Sequence, residues 1–288
     1  MCRLFGFRSI IPSQVHSSLV LAENALGEQS SNHPDGWGVA YYVDGCPQLT
    51  RSPAHALGDQ LFHRLSGVAS SETVIAHVRK ATQGALNVLN CHPFQHGRWV
   101  FAHNGDIPNF AQKRSALASR IPARLQRFIL GDTDSETLFF LLLAELEKTA
   151  PLGKPHRTKD LVQAVMQVSS IVREICDPGQ PEDKRALLTL LVSDGQSMVA
   201  AQGGKELYLS TYKKRCPERD ECPSLSEECE APTKTGFVNH FILSSEPLQG
   251  NNVWEELSPG EVVSVDGRMF MSRTVSGRRS LPVVAAPA

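Results

Sequence analysis

Short apolar segments separated by polar turns dominate the hydrophobic pattern of the chain. Residues 2–8 alternate apolar side chains with others, which is the two-residue period of a strand with one buried face. Asp44-Gly45 has the composition of a hairpin turn between two such segments. The predicted strands are 2–8, 39–43, 48–51, 73–78, 99–102, 185–193, 197–201, 206–212, 237–244, 261–265 and 269–271.

Other segments carry the longer period of a helix. Apolar residues on one face predict a helix over 15–26. Thr133 and Glu136 have the spacing of a capping box at the start of a very apolar, buried helix. The predicted helices are 15–26, 57–65, one or two short ones within 111–130, 137–148 and 159–176.

Two segments have a different composition. Residues 213–235 are rich in Lys, Arg, Glu, Pro and Ser, which predicts a long mobile loop inserted between two strands. They hold three cysteines but no CxxC pair and no histidine, so zinc ligation is disfavoured. Residues 276–288 are small and proline-rich, which predicts a disordered tail after a single domain over 2–275.

The overall composition narrows the class of protein. Of the 288 residues, 41% are hydrophobic and 20% charged, as in a globular protein with a full core. A net charge of −1 gives no field that would attract nucleic acid or an anionic membrane. No membrane-length apolar run and no secretory signal are apparent, so we expect a cytoplasmic protein whose seven cysteines are reduced.

Cys2 is a candidate nucleophile. If the initiator Met1 is removed, Cys2 carries a thiol and a free α-amine on one residue. An α-amine with a pKa of about 8 can take the thiol proton and later give it to a leaving amine. The simpler interpretation is a small, half-buried residue at the start of a strand.

Two predicted strands run into polar motifs. His77 and Arg79 face the same side of one strand, and an arginine at a strand exit can hold a substrate carboxylate. The alternative is a solvated basic strand end. At the end of the next strand, the Asn104 amide and the Gly105 N–H form a competent donor pair for an oxyanion. The alternative there is an ordinary Asn-Gly turn.

Three further positions have an open role. Asp134 lies at a predicted helix start, where it could bind a substrate ammonium or simply cap the helix. His92, before Pro93, is a pocket wall or a structural loop residue. The spacing of His77, His92 and His103 fits no metal signature, so a metal hydrolase is a weak alternative and no cofactor is expected.

The order of these motifs resembles a class II glutamine amidotransferase domain. The motifs are a cysteine at position 2, His-x-Arg-x-x-Thr at 77–82, Asn-x-His-Pro at 90–93, His-Asn-Gly at 103–105 and Thr-Asp-Ser-Glu at 133–136. Residues 33–38 and 244–248 look like the stand-alone branch, which includes a γ-glutamyl hydrolase of ergothioneine synthesis and a subunit of a glutathione-degrading complex. The resemblance covers nearly the whole chain except 213–235 and the last dozen residues.

The resemblance implies a fold and a set of roles. The fold would be α+β, a four-layer αββα N-terminal nucleophile sandwich with two mainly antiparallel sheets between helices. Cys2 would be the nucleophile, with its α-amine as base, and Asn104 and Gly105 would form the oxyanion hole. The substrate-binding residues would be Arg79 and Thr82 at the α-carboxylate, Asp134 at the α-ammonium, and His77, His92 and His103 around the pocket.

The reaction implied is hydrolysis of a γ-glutamyl amide, either glutamine or another γ-glutamyl compound, through a thioester. One alternative is a glutaminase subunit that delivers ammonia to a separate synthase. Another is a non-catalytic regulatory relative, which the complete set of site residues argues against. A synthase or peptidase partner protein and a homo-oligomer both remain open, whereas partners among nucleic acids and membranes are not expected.

Overall fold

Two antiparallel β-sheets form the centre of the computed structural model, which describes residues 2–275. The first sheet has the order β11-β9-β10-β1-β4-β2-β3 and the second the order β13-β12-β8-β7-β6-β5. The strands are β1 Arg3–Gln14, β2 Trp37–Val43, β3 Cys46–Ser52, β4 Ser70–Val78, β5 Phe94–His96, β6 Trp99–Asp106, β7 Leu187–Ser193, β8 Met198–Ala201, β9 Tyr208–Ser210, β10 His240–Ser244, β11 Glu255–Glu256, β12 Glu261–Val265 and β13 Met271–Val275.

Helices cover the outer faces of both sheets. The α-helices are α1 Leu26–Gln29, α2 Gln60–Val68, α3 Phe110–Ala118, α4 Ala123–Gln126, α5 Asp134–Glu147 and α6 Thr158–Cys176. Helices α3, α5 and α6 bury their apolar faces against the second sheet, and α1 and α2 pack on the first. No helix within residues 2–275 is long and apolar enough to cross a membrane.

The alternation of side chains along the strands explains these layers. In β1, Leu4 joins the core between the two sheets, whereas Phe5 and Phe7 join the core under α1 and α2. In β6, Ala102 lies between the sheets and Phe101 packs against the helices α5 and α6. The predicted four-layer αββα sandwich is therefore confirmed.

The predicted helix over 15–26 is wrong. Strand β1 continues to Gln14, and the following residues form a five-residue π-helical turn, Ser17–Leu21, before the short α1. The Asn24 side chain donates to Pro247 O at 2.8 Å and accepts from Gln249 N at 2.8 Å. These tertiary contacts hold the chain away from the helical path that its apolar pattern favours.

Residues 213–235 contain one short 3-10 turn, Glu227–Cys229, and none of the strands β1 to β13. A hydrogen bond from Lys214 N to Asn251 O (2.7 Å) ties the segment to the body of the protein, and one from Lys213 N to Cys229 O (2.9 Å) joins the two halves of the segment. The single domain and the mobility of this segment remain predictions. The predicted tail, 276–288, lies outside the described residues.

Candidate active site

Side-chain alternation brings the predicted site residues to one end of the space between the sheets. Leu4 and His77 are direct partners in the β1–β4 ladder, so Cys2 and Arg79, each two residues away, continue the same inward-facing rows. On the opposing sheet, Asn104 follows Ala102 by two residues and shares its face. The structure therefore brings the nucleophile candidate, the arginine and the asparagine toward one another from three strands.

Cys2 is buried at the entry of β1, beside the exit of β4. The Lys80 amide donates to Cys2 Sγ at 3.4 Å, and the thiol lies 3.5 Å from Lys80 O. Burial raises the pKa of the thiol, and the Asp134 carboxylate acts in the same direction. The Lys80 amide and the Arg79 charge lower this pKa. Because burial dominates, the thiol is protonated at neutral pH and needs a base to become a nucleophile.

Asn104 is fixed to β1 through Ser245. Its Nδ2 donates to Ser245 Oγ at 3.4 Å, and the same oxygen accepts from Leu4 N at 2.9 Å. Ser245 N also donates to Leu4 O at 3.0 Å. Asn104 Oδ1 is buried without a hydrogen-bond partner in the described chain. The Nδ2 bond is long, so this donor can be redirected to a substrate oxygen at little cost.

Gly105 lies inside β6, where it pairs with Leu188 of β7, and Asn104 pairs with Thr189. This pairing excludes the Asn-Gly turn. A Cβ atom on Gly105 would lie 1.9 Å from Leu187 O and 2.3 Å from His103 Nε2. Only glycine fits between these atoms. The requirement comes from the close approach of the neighbouring backbone and not from a positive φ.

Arg79 is buried at the end of β4 and is held by backbone carbonyls. Its guanidinium donates to Gln83 O at 2.7 Å and to Ala85 O at 3.2 Å. Its backbone N–H donates to Gly36 O at 2.7 Å, which places the 33–38 loop beside the site. Arg79 is only 2% exposed, which excludes the alternative interpretation of this motif as a solvated basic strand end.

Asp134 is the first residue of α5, but Thr133 is the cap, with Oγ1 accepting from Glu136 N at 3.2 Å. Asp134 Oδ2 accepts from Ile107 N at 2.8 Å, and Oδ1 accepts from Ser135 N at 2.8 Å. Burial raises the pKa of Asp134, whereas the nearby His103 and the Ile107 N–H lower it. Thr133 therefore caps α5, and the binding of a substrate ammonium by Asp134 remains a prediction.

The three histidines are buried and differ in their contacts. The rings of His77 and His92 stack at a centroid distance of 4.2 Å. Burial lowers the pKa of His77 to about 3 and that of His92 well below its usual value, so both are neutral. His103 contacts Ser135 Oγ and Leu187 O, each at 2.9 Å. Within residues 2–275, no group of three or more His, Cys, Asp or Glu side chains is arranged to hold a metal ion.

A comparison with known protein families identifies the family of this chain. A sequence model for the family "Glutamine amidotransferases class-II" matches residues 1–286. The chain belongs to the class II glutamine amidotransferases. The chain is 29% identical over 257 residues to the probable glutamine amidotransferase DUG3 of Saccharomyces cerevisiae, covering 80% of this chain and 68% of that protein.

Two further comparisons of this amidotransferase concern its fold and a hydrolase. Over 74 residues, it is 42% identical to a γ-glutamyl-hercynylcysteine sulfoxide hydrolase of Mycobacterium tuberculosis, covering 25% of this chain and 32% of that protein. A class II glutamine aminotransferase domain protein from Silicibacter pomeroyi superposes with a TM-score of 0.60 at 22% identity, covering 95% of this chain and 99% of that chain. At that identity, the superposition supports the shared fold alone.

The candidate site of this amidotransferase also includes residues that were not predicted to take part in it. Gln83 Nε2 donates to Asp106 Oδ1 at 2.8 Å and to Ile107 O at 3.0 Å, which joins the loop after β4 to the end of β6. Ser245 positions Asn104, and the next residue, Glu246, accepts from Arg3 Nε at 2.6 Å. The Ser-Ser-Glu-Pro motif at 244–247 was the sequence signal that could have indicated Ser245 and Glu246. Thr82 is exposed, and its support of the pocket remains a prediction.

Proposed function

We propose that this amidotransferase hydrolyses a γ-glutamyl amide through a thioester on Cys2. One observation carries the proposal: the Cys2 thiol is close enough to both the buried Arg79 guanidinium and the buried Asp134 carboxylate for their charges to shift its pKa. A γ-glutamyl group has one α-carboxylate and one α-ammonium beyond its scissile amide. Arg79 would bind the carboxylate and Asp134 the ammonium, with the γ-carbonyl presented to Cys2 Sγ.

The proposed acylation step needs Cys2 at the mature N-terminus. The α-amine of Cys2 takes the thiol proton as Sγ bonds to the γ-carbon, and it gives that proton to the leaving nitrogen as the C–N bond breaks. Ammonia or an amine departs. Water then attacks the thioester with the same amine as base, so that glutamate leaves and the thiol is restored.

Asn104 and Gly105 would stabilise the negative oxygen that forms during both attacks. Asn104 Nδ2 is the donor that Ser245 holds toward β1, and the absence of a Cβ at Gly105 keeps its backbone tight against Leu187. A donor that is already held close to its final position needs little reorganisation when charge develops on the oxygen.

A second candidate function is ammonia delivery to a separate synthase. The loop whose carbonyls hold Arg79 continues into Leu86, Val88 and Leu89, which are 61%, 42% and 39% exposed. Exposed apolar side chains on the loop that holds Arg79 fit contact with a partner protein or with an apolar leaving group.

Glutamate release from glutamine, glutathione and other γ-glutamyl amides distinguishes these functions. We expect Cys2-dependent release from at least one compound, and rapid turnover of a single compound would identify a free-standing hydrolase. Slow release from every compound by protein with a confirmed mature N-terminus would favour ammonia delivery. Release that is equal in a Cys2→Ala variant would contradict both functions.

Replacing Arg79 by methionine is expected to raise KM for γ-glutamyl substrates by roughly 100-fold, because the α-carboxylate loses a charge-assisted pair. Steady-state kinetics measure this effect. Lys80→Ala is the matched control, since Lys80 is the adjacent cation and its side chain is exposed. A KM in Arg79→Met that equals that of Lys80→Ala would remove Arg79 from substrate binding.

A further inference from the structure

A cavity of about 360 Å³ lies on the outer face of the first sheet. It is bounded by β1, β10, the Ser17–Leu21 turn and the 213–235 segment. Its floor includes Phe7 and Ile242, which are partners in the β1–β10 ladder. Because side chains alternate along β1, Phe7 points away from the face that carries Leu4 and Cys2. The cavity is therefore separate from the candidate active site.

Two buried polar atoms in this outer cavity have no hydrogen-bond partner within residues 2–275. They are His240 Nε2 and Asn252 Oδ1, and both residues line the cavity. Buried polar groups nearly always form hydrogen bonds in folded proteins. Two such atoms without a hydrogen-bond partner around one cavity therefore indicate a missing ligand. Burial lowers the pKa of His240 to about 3, and the neutral ring can accept one hydrogen bond and donate another.

The charge in the outer cavity comes from Lys213 and Glu218. Lys213 lies near enough to His240 to lower the pKa of its ring, and it forms no ion pair in the described part of the chain. Glu218 is exposed and lies at the rim of the cavity. An unpaired cation beside buried neutral polar groups favours a ligand with an anionic end.

We propose that the outer cavity binds a small amphipathic carboxylic acid that carries an N–H or O–H donor beside the carboxylate, as in an N-acyl amino acid. The carboxylate pairs with Lys213 and accepts from the neutral His240 ring at Nε2, the donor satisfies Asn252 Oδ1, and the apolar body covers Phe7 and Ile242. The volume lies within the roughly 300–1,000 Å³ range of small-molecule sites.

N-acetyl-leucine is the probe that tests this proposal, with isothermal titration calorimetry on the full chain as the measurement. We expect saturable binding that weakens about tenfold or more for 4-methylpentanoate, which lacks the N–H, and for N-acetyl-leucinamide, which lacks the carboxylate. Lys213→Met and Asn252→Ala should each weaken N-acetyl-leucine binding by a similar factor. Cys2→Ala should bind it as the unsubstituted protein does.

Alkylation provides an independent readout on the unsubstituted protein. Cys222 lines the cavity and is half-buried, whereas Cys46 is exposed on β3 outside it. N-acetyl-leucine should slow the reaction of iodoacetamide with Cys222 and leave that of Cys46 unchanged. The absence of binding at millimolar concentration, equal affinity for the three compounds, or affinity unchanged in both cavity variants would overturn the proposal.

Discussion

Replacing Cys2 by alanine is expected to lower the rate of glutamate release by roughly 10³-fold or more, because the proposed acylation has no other nucleophile. The fold should survive, since among the described residues the recorded hydrogen bonds of the thiol are two long contacts with the Lys80 backbone. A Cys2→Ser variant should be similarly inactive, because burial already raises the pKa of the thiol and a hydroxyl is much harder to ionise at that position.

Steady-state kinetics on each purified variant measure this loss, with thermal unfolding as a check of the fold. Cys46→Ala is the control, because Cys46 is exposed and lies on β3, away from the ends of β1 and β4. It should keep the activity of the unsubstituted protein. Turnover in Cys2→Ala within tenfold of that control would exclude Cys2 as the nucleophile.

Replacing Asn104 by alanine is expected to lower kcat by about 10²–10³-fold with little change in KM, which is the effect of losing one oxyanion donor. The loss should be specific to catalysis. Asn104 makes a single 3.4 Å hydrogen bond through Nδ2, and its Oδ1 has no partner within residues 2–275. Thermal stability should therefore change little.

Ser245→Ala is the informative comparison for Asn104. Ser245 Oγ orients the amide but donates nothing to the substrate, so its removal should lower kcat by about tenfold at most. A kcat in Asn104→Ala that falls no further than in Ser245→Ala would mean that Asn104 supports the site without stabilising the oxyanion.

Local signals made much of this fold predictable. The hairpin of β2 and β3 follows from Asp44-Gly45, whose positive φ values of 50° and 75° suit a tight turn between twisted strands. The start of α5 follows from Thr133, whose side chain caps the helix as its sequence spacing indicates. In both places, the residues that determine the structure are close together in the sequence.

Contacts between distant segments were not predictable in the same way. Ser245 joins β1 across 241 residues, and the Asn24 side chain meets the 247–249 segment. Neither contact leaves a periodic pattern in the sequence. The same limit applies to Gln83, whose bridge to the end of β6 depends on how the two sheets pack. The motifs and their order thus suggested the candidate site residues, whereas the residues that hold them in place depend on contacts made only in the fold.

The most direct test of the proposed mechanism is peptide mass spectrometry of protein that is quenched in acid during turnover of a γ-glutamyl amide. The account predicts an N-terminal peptide that begins at Cys2 and carries a γ-glutamyl group that hydroxylamine removes. An active preparation that retains Met1, or that carries the acyl group on another cysteine, would contradict it.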